Sequence, residues 1–532
     1  MRKIITFFIF CFLFGKCFSQ AGEWVWLKGD SVPNQAANYG VQGVPGPSNQ
    51  PPGIYEPCEW RDINGNFWVY IYADLWRYNP LTNEWTWMKG PGTISYPGSY
   101  GIKGVPSPSN NPPALSTGIT SWTDNQGNFW MFGGQGVGGP FNALWKYDVS
   151  TNEWTWMKGS NSGGQWGVYG TQGIPNTLNV PGCRWECVAA WTDDNGSLWL
   201  FGGWSANLFN DLWKYDISTN EWTWMKGSDI PNQPAVYGTL GIEDPANTPG
   251  CRMSYSRWKD SNGNLWLFGG FLYASTPYND LWRYNVTSNK WAWMGGSNTG
   301  VAPENYGVKC VSSVSNIPGA RYECRSTWND QKGNFWLFGG GTYAAGTVWN
   351  DLWKYCTVTH EWTWISGDTI VNPTGHWGTQ GVYSPANKPN GRFGSVGMTD
   401  NNGYIYLFGG VTYTGFGYSY NDLWKYAIDT TCGVCPNTTS IAENNPPKAD
   451  ELLIFPNPTN SSLTISFSSS EKQNIELRLY NTLGEVQLFQ SFKTLEKLFQ
   501  KEINVEKMSG GIYFLQLKTN DGNINRKIII SH

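Results

Sequence analysis

Trp191-Thr192-Asp193, Asn195-Gly196, Leu198-Trp199-Leu200-Phe201-Gly202-Gly203, Asn210-Asp211-Leu212-Trp213-Lys214-Tyr215 and Asn220-Glu221-Trp222-Thr223-Trp224 form one phrase, and its recurrence decides the fold. The central Trp returns at Trp76, Trp145, Trp213, Trp282, Trp353 and Trp424, in steps of 68 to 71 residues. Each copy reads as four short aromatic strands. Strand a ends at Trp191. Asn195-Gly196 is a hairpin turn, since both turn positions favour positive φ. Strand b runs into Gly-Gly, strand c is Asp-Leu-Trp-Lys-Tyr, and strand d is Glu-Trp-Thr-Trp. A period of this size with strands and no helical pattern predicts a β-propeller.

Strand d occurs at Trp24, Trp85, Trp154, Trp222, Trp291 and Trp362, and Trp24 precedes every other strand. The copy around Trp424 lacks a strand d of its own. The segment Trp24–Trp26 is therefore expected to complete that last blade, closing a six-bladed ring and removing its open edges. The first copy departs from the phrase, with Val69-Tyr70-Ile71-Tyr72 where the others carry Gly-Gly.

The phrase resembles the kelch family. The resemblance rests on Gly-Gly after strand b (Gly133-Gly134, Gly202-Gly203, Gly269-Gly270, Gly339-Gly340, Gly409-Gly410), on Asn-Asp-Leu-Trp-Lys-Tyr and on the Trp of strand d. It implies an all-β, six-bladed kelch-type propeller over residues 20–431. Each copy is about 20 residues longer than an ordinary kelch unit. The surplus lies between strand d and the next strand a, where Tyr39-Gly40, Tyr100-Gly101, Tyr169-Gly170, Tyr237-Gly238, Tyr306-Gly307 and Trp377-Gly378 recur. Strand alternation puts these long loops and the b–c loops on one face, and the tight turns on the other.

Composition fits an exported chain. Residues 1–19 read as a signal peptide: Arg2 and Lys3, the apolar run Ile4–Phe14, then the small Ser19. A net charge of −4, with no basic run in the repeats, excludes a nucleic-acid partner. No segment of the mature chain is long and apolar enough for a transmembrane helix, and a monomer is expected. Export implies disulfides. Cys310 with Cys324 would staple one long loop and Cys432 with Cys435 would form a tight bridge, the connectivity as a whole staying open.

After residue 431 the period stops. Residues 432–450 are Pro- and Asn-rich and read as a linker, and 451–532 read as a small β-sandwich with strands near Leu463–Phe467, Ile475–Tyr480, Val486–Phe492 and Ile512–Leu517. Phe455-Pro456-Asn457-Pro458, Tyr480-Asn481-Thr482-Leu483-Gly484, Gly511-Ile512-Tyr513 and Lys527-Ile528-Ile529 resemble the type A sorting domain of the type IX secretion system of Bacteroidetes. That resemblance implies handling by the type IX machinery, passage across the outer membrane, and a final place on the cell surface or outside it.

Of 33 tryptophans, most sit at periodic strand positions and read as packing between blades. Trp166, Trp185, Trp204, Trp349 and Trp377 do not, and all five fall on the long-loop face. Tyr273, Tyr343 and Tyr413 share one b–c loop position there. Arg184, Arg252, Arg321 and Arg392 begin four inner strands and are expected to ring the central opening, where guanidinium forks suit an acidic glycan or peptide. Glu186 and Glu323 stand near the same rim.

The Asp of the a–b turn (Asp62, Asp124, Asp193, Asp260, Asp330, Asp400) is explained by the hairpin rather than by calcium. Only His360, His376 and His532 are present, and neither a copper cluster of the kelch-like galactose oxidases nor a Ser-His-Asp triad is visible. No catalytic residue, metal or cofactor is expected. The sequence reads as a secreted or cell-surface protein that binds a glycan or a surface protein. The alternatives are a kelch-type enzyme acting on an acidic sugar, mutarotase- or sialidase-like, and a structural envelope protein.

Overall fold

Each copy of the phrase forms one four-stranded antiparallel sheet. In the third, Ala189–Thr192, Leu198–Trp204, Leu208–Asp216 and Glu221–Lys226 are strands a to d in that order. This computed structural model describes residues 21–186, 189–272, 276–323, 326–342, 346–412 and 418–435, and in the tail 452–455, 459–468, 474–481, 485–493, 498–519 and 522–531. The expected signal peptide, most of the expected linker, and Cys187, Cys324, Tyr273, Tyr343 and Tyr413 lie outside the described residues. The chain divides into two compact units, Met1–Pro436 and Asn437–His532.

Among the described residues the first unit holds six such sheets, with three smaller ones beside them. The sixth joins Val396–Thr399, Ile405–Val411 and Ser419–Tyr426 to Trp24–Lys28, with Trp24 opposite Tyr426 and Trp26 opposite Trp424. The N-terminal strand thus closes the ring as its pattern predicts.

The a–b turns repeat one device. Asp193 Oδ1 accepts from the Asn195 and Ser197 amides (3.0 and 2.8 Å), and its Oδ2 accepts from Trp199 Nε1 at 2.8 Å. The turn Asp therefore fixes both the hairpin and the indole of strand b. Neighbouring sheets share their aromatic layers. Trp122, Trp130 and Phe132 of the second sheet pack on Leu198, Leu200, Trp213 and Trp222 of the third, and Trp122 Nε1 donates to the Trp199 carbonyl at 2.9 Å. The seam between the sixth and first sheets is closed the same way, by Phe67 on Tyr406 and Trp85 on Phe408, with centroids 4.8 and 4.9 Å apart.

Each long loop runs along the free edge of strand d in the sheet it precedes. Gly43 N donates to Trp87 O and Gly173 N to Trp224 O, both at 2.8 Å. An Asn side chain clamps the crossing: Asn179 Nδ2 donates to the carbonyls of Ile174 and Trp222 at 3.2 and 3.0 Å. Asn49, Asn110, Asn247, Asn316 and Asn387 do the same in the other copies. The surplus residues occupy backbone donors and acceptors that would otherwise template another chain.

Two disulfides hold the end of the ring, and they are not the expected ones. Cys310 bonds Cys432, and Cys356 bonds Cys435, so residues 432–435 are tied back to the fifth repeat. Cys58, Cys183 and Cys251 are buried thiols.

The second unit is a β-sandwich. One sheet orders Leu452–Phe455, Ser462–Ser468 and Leu498–Asn504. The other orders Val486–Lys493, Asn474–Tyr480, Gly511–Thr519 and Gly522–Ile530. Leu463, Ile465, Ile475, Leu477, Leu515, Leu517 and Ile528 fill the space between them. The strand Leu498–Asn504 went unread in the sequence.

Candidate binding site at the axis of the ring

The four strand-a arginines do not face the opening. Arg184 is fully buried, and its Nη1 and Nη2 donate to Asp211 Oδ1 and Oδ2 at 2.7 and 2.9 Å. Nη1 also donates to the Gly202 carbonyl at 3.0 Å, and the guanidinium lies 4.6 Å from the Phe209 ring centroid. The same Asp211 accepts from Trp213 Nε1 at 2.7 Å and from the Tyr169 hydroxyl at 2.8 Å. Arg252 with Asp280, Arg321 with Asp351 and Arg392 with Asp422 repeat the clamp. Each arginine stands five residues after its loop Asn. Counting the same way, Ile54 and Leu115 take its place in the first two repeats. There Asp74 accepts from the Tyr39 hydroxyl and the Gly92 amide instead of from an arginine, and Ala143 replaces the Asp outright. Arginine and aspartate are thus present together in four repeats, and the arginine is absent wherever the aspartate is.

Two residues after each clamp position, three in the second repeat, the chain turns through the left-handed region. Glu56, Gly118, Glu186, Ser254, Glu323 and Gly394 all have φ between 49° and 66°. Only glycine or a strained residue serves there, and a Cβ on Gly118 would collide with the Glu186 amide. Backbone bonds link five of the six around the axis: Glu56 N to Gly394 O (2.9 Å), Gly394 N to Glu323 O (3.0 Å), Glu323 N to Ser254 O and Ser254 N to Glu186 O (both 3.2 Å). Gly118 N donates to Glu56 Oε2 at 3.1 Å and Ser254 Oγ to Glu186 Oε2 at 3.3 Å. The carboxylates of Glu56, Glu186 and Glu323 are buried and lie within 4.8 Å of one another, close enough to share one cation. Sequence reasoning singled out Glu186 and Glu323 but missed Glu56, although all three stand seven residues after a loop Asn.

This ring separates two spaces. On the tight-turn side, strand alternation aims Glu59, Ser121, Arg257 and Thr327 at the axis, with Arg61 and Lys259 nearer the mouth. They line a channel of about 350 Å³, crossed by the Arg257–Glu59 pair at 3.3 Å. On the long-loop side, the residues just before the ring form an apolar crown of Tyr55, Trp185, Met253, Tyr322 and Phe393. Phe393 meets both Tyr55 and Tyr322, with centroids 5.8 and 6.5 Å apart.

The five aperiodic tryptophans divide. Trp349 is buried beneath Arg321, 4.7 Å away, so it is not a surface group. Trp377 takes the place of the loop Tyr, and its Nε1 donates to Asp422 at 3.2 Å. The other three gather in the third repeat. Trp185 and Trp204 are half-buried and pack with centroids 4.7 Å apart and ring planes tilted by 36°, on strand segments joined by reciprocal backbone bonds. The Cys183 amide donates to the Gln165 carbonyl, which sets the Trp166 backbone against the segment leading to Trp185, and the Trp166 side chain is 81% exposed.

Comparison with known proteins agrees with both units. Residues 453–531 match the family described as secretion system C-terminal sorting domain, and residues 194–223 match the kelch motif. The chain is 24% identical over 303 residues to kelch domain-containing protein 10 of Bos taurus and of Homo sapiens, and 25% identical over 302 residues to that of Xenopus tropicalis. These matches cover 48% of this chain, and 61%, 61% and 65% of the relatives, so the chain spans less than two thirds of their length. The chain is a kelch-repeat protein with a C-terminal type IX sorting tail. Kelch repeats point to a propeller that binds other molecules, and the tail to secretion onto or beyond the cell surface.

Proposed function

Starting from a kelch propeller joined to a sorting tail, we propose a secreted or surface-held recognition protein that binds a glycan rich in neutral hydroxyls. The contacts come from Trp166, Trp185 and Trp204 on the long-loop side of the third repeat. One observation carries this reading. Among the described residues Trp166 is the one exposed tryptophan, at 81%, and its backbone neighbours the segment that leads to the half-buried pair Trp185 and Trp204. Indole faces stack on the C–H faces of sugars, and clustered aromatics at a rim mark recognition surfaces. The guanidinium forks that favoured an acidic ligand are spent on aspartates, and the axial groups near the crown are carboxylates, which accept from hydroxyls. An acidic-sugar enzyme has therefore lost the residues that suggested it. Export through an N-terminal signal peptide belongs to the same reading.

The test is binding of the mature protein to immobilised neutral and acidic glycans, with Trp166→Ala and Trp204→Ala alongside. Preferential capture of neutral glycans that falls by roughly 10–100-fold in both variants supports the proposal, a loss of about 1–3 kcal/mol. Capture of acidic glycans alone, or affinities unchanged in both variants, overturns it. Binding to cells that survives periodate oxidation of their sugars would instead make the partner a protein.

A further inference from the structure

The outer face of the larger tail sheet breaks the rule that governs a half-exposed sheet. An antiparallel sheet with one solvated face alternates apolar inward and polar outward. The strand Asn474–Tyr480 does so at first, with Ile475, Leu477 and Leu479 buried and Glu476 and Arg478 outward. The two C-terminal strands do not. Tyr513, Leu515 and Leu517 point into the core, yet Ile512 and Phe514 on either side of Tyr513 are exposed. Ile528 and Ile530 are buried, and Ile529 between them is exposed.

Pairing registers place these outward groups together. Ile512 lies opposite Ile529, and Tyr480 lies opposite both Phe514 and Val486. Phe489 lies opposite Arg478, whose guanidinium sits 5.3 Å from its ring. Phe489 and Phe514 are 54% and 47% exposed. The opposite end of the same face is charged, with Arg478 to Glu476 at 3.1 Å and Lys518 to Glu476 at 3.9 Å. An apolar, aromatic cluster bounded by charge on one side has the anatomy of a docking surface.

We propose that this patch, Val486, Phe489, Ile512, Phe514 and Ile529, is the surface by which the type IX machinery captures the tail. The domain that carries it matches a secretion sorting domain. Two of the sequence segments that identify that domain, Gly511-Ile512-Tyr513 and Lys527-Ile528-Ile529, supply both a core residue and a patch residue. Tyr513 and Ile528 serve folding. Ile512 and Ile529 are apolar where folding asks for polar groups, and an outside partner accounts for them. That partner presents an apolar cleft for the two phenylalanine rings, with a carboxylate placed to meet Arg478.

The test uses the full chain in a type IX-competent host. A photoreactive benzoyl-phenylalanine replaces Phe489 or Phe514, with Lys518 at the charged end as the control position. The expected result is a light-dependent adduct of positions 489 and 514 with a secretion component, absent at 518 and in a host lacking the machinery. In parallel, Phe489→Ser with Phe514→Ser should lower the exported fraction at least ten-fold, with the unfolding of both units unchanged. The crosslink stands even where that variant misfolds. An adduct only with a second copy of this chain or with its own propeller, or none at all, overturns the assignment, as does export of a folded double variant at the parent rate.

Discussion

Arg321 and Asp351 are joined by two parallel hydrogen bonds of 2.6 and 2.9 Å, inside the protein and out of reach of water. The pair ties the start of strand a to the start of strand c within one sheet. A buried pair of this kind is costly to break on one side only, because the survivor is left charged and desolvated. Arg321→Leu should therefore cost about 3–5 kcal/mol in denaturant unfolding. Arg321→Leu with Asp351→Leu should cost less than the single change. A single variant as stable as the parent would mean the guanidinium is not committed to the clamp.

Asp74 is the member of this series without an arginine. Burial raises its carboxyl pKa, against the lowering effect of bonds from the Gly92 amide and the Tyr39 hydroxyl. A carboxyl whose folded pKa lies above its unfolded value, about 3.9, favours folding while protonated, and that contribution is lost as pH rises through the folded pKa. Asn at this place can still accept from Gly92. Asp74→Asn should thus melt above the parent, by a margin that widens as pH rises above about 4. Melting curves of the two proteins across that range check this, and a margin that narrows with rising pH would contradict it.

The parts legible in the sequence are those written in its period. Strand order, the Asp-centred turns and closure by Trp24–Lys28 all follow from one phrase repeated in phase. What was misread depends on direction or on partners far along the chain. Spacing shows that the long loops sit between strands d and a, but not that they fold outward onto the edge of strand d. Arg184 and Asp211 belong to segments 27 residues apart, and each alone looks like an available charge. The paired gaps at Leu115 and Ala143 were the signal that they form a unit. Glu56 was missed because the first repeat departs from the phrase just where comparison was needed. The cysteines were paired by nearness, whereas the bridges reach back into the fifth repeat.

Those bridges span 122 and 79 residues of sequence, and closing loops of this size restricts the unfolded chain strongly. Cys432→Ser with Cys435→Ser should lower stability by several kcal/mol, about 4 per bridge in the loop-entropy account. Non-reducing peptide mapping should show 310 linked to 432 and 356 linked to 435. A linked 432–435 peptide would contradict the pairing.

Closure makes a separate prediction. Removal of residues up to Lys28 takes away the strand paired with Ser419–Tyr426 and the Trp24 ring that packs on Tyr426 at 4.9 Å. The truncated protein should aggregate or melt well below the parent, because an open edge and an aromatic layer are exposed together. Unchanged melting of a monomeric truncation would contradict the closed ring.

Recognition is assigned to the third repeat, through Trp166, Trp185 and Trp204. Titration of a captured neutral glycan into the parent, Trp166→Ala and Trp185→Ala with Trp204→Ala, each with a matched melting curve, tests it most directly. Affinities should be lower by roughly 10–100-fold, with the melting temperature of the Trp166 variant unchanged. Parent affinity in the folded variants, or binding lost only in step with folding, would contradict it.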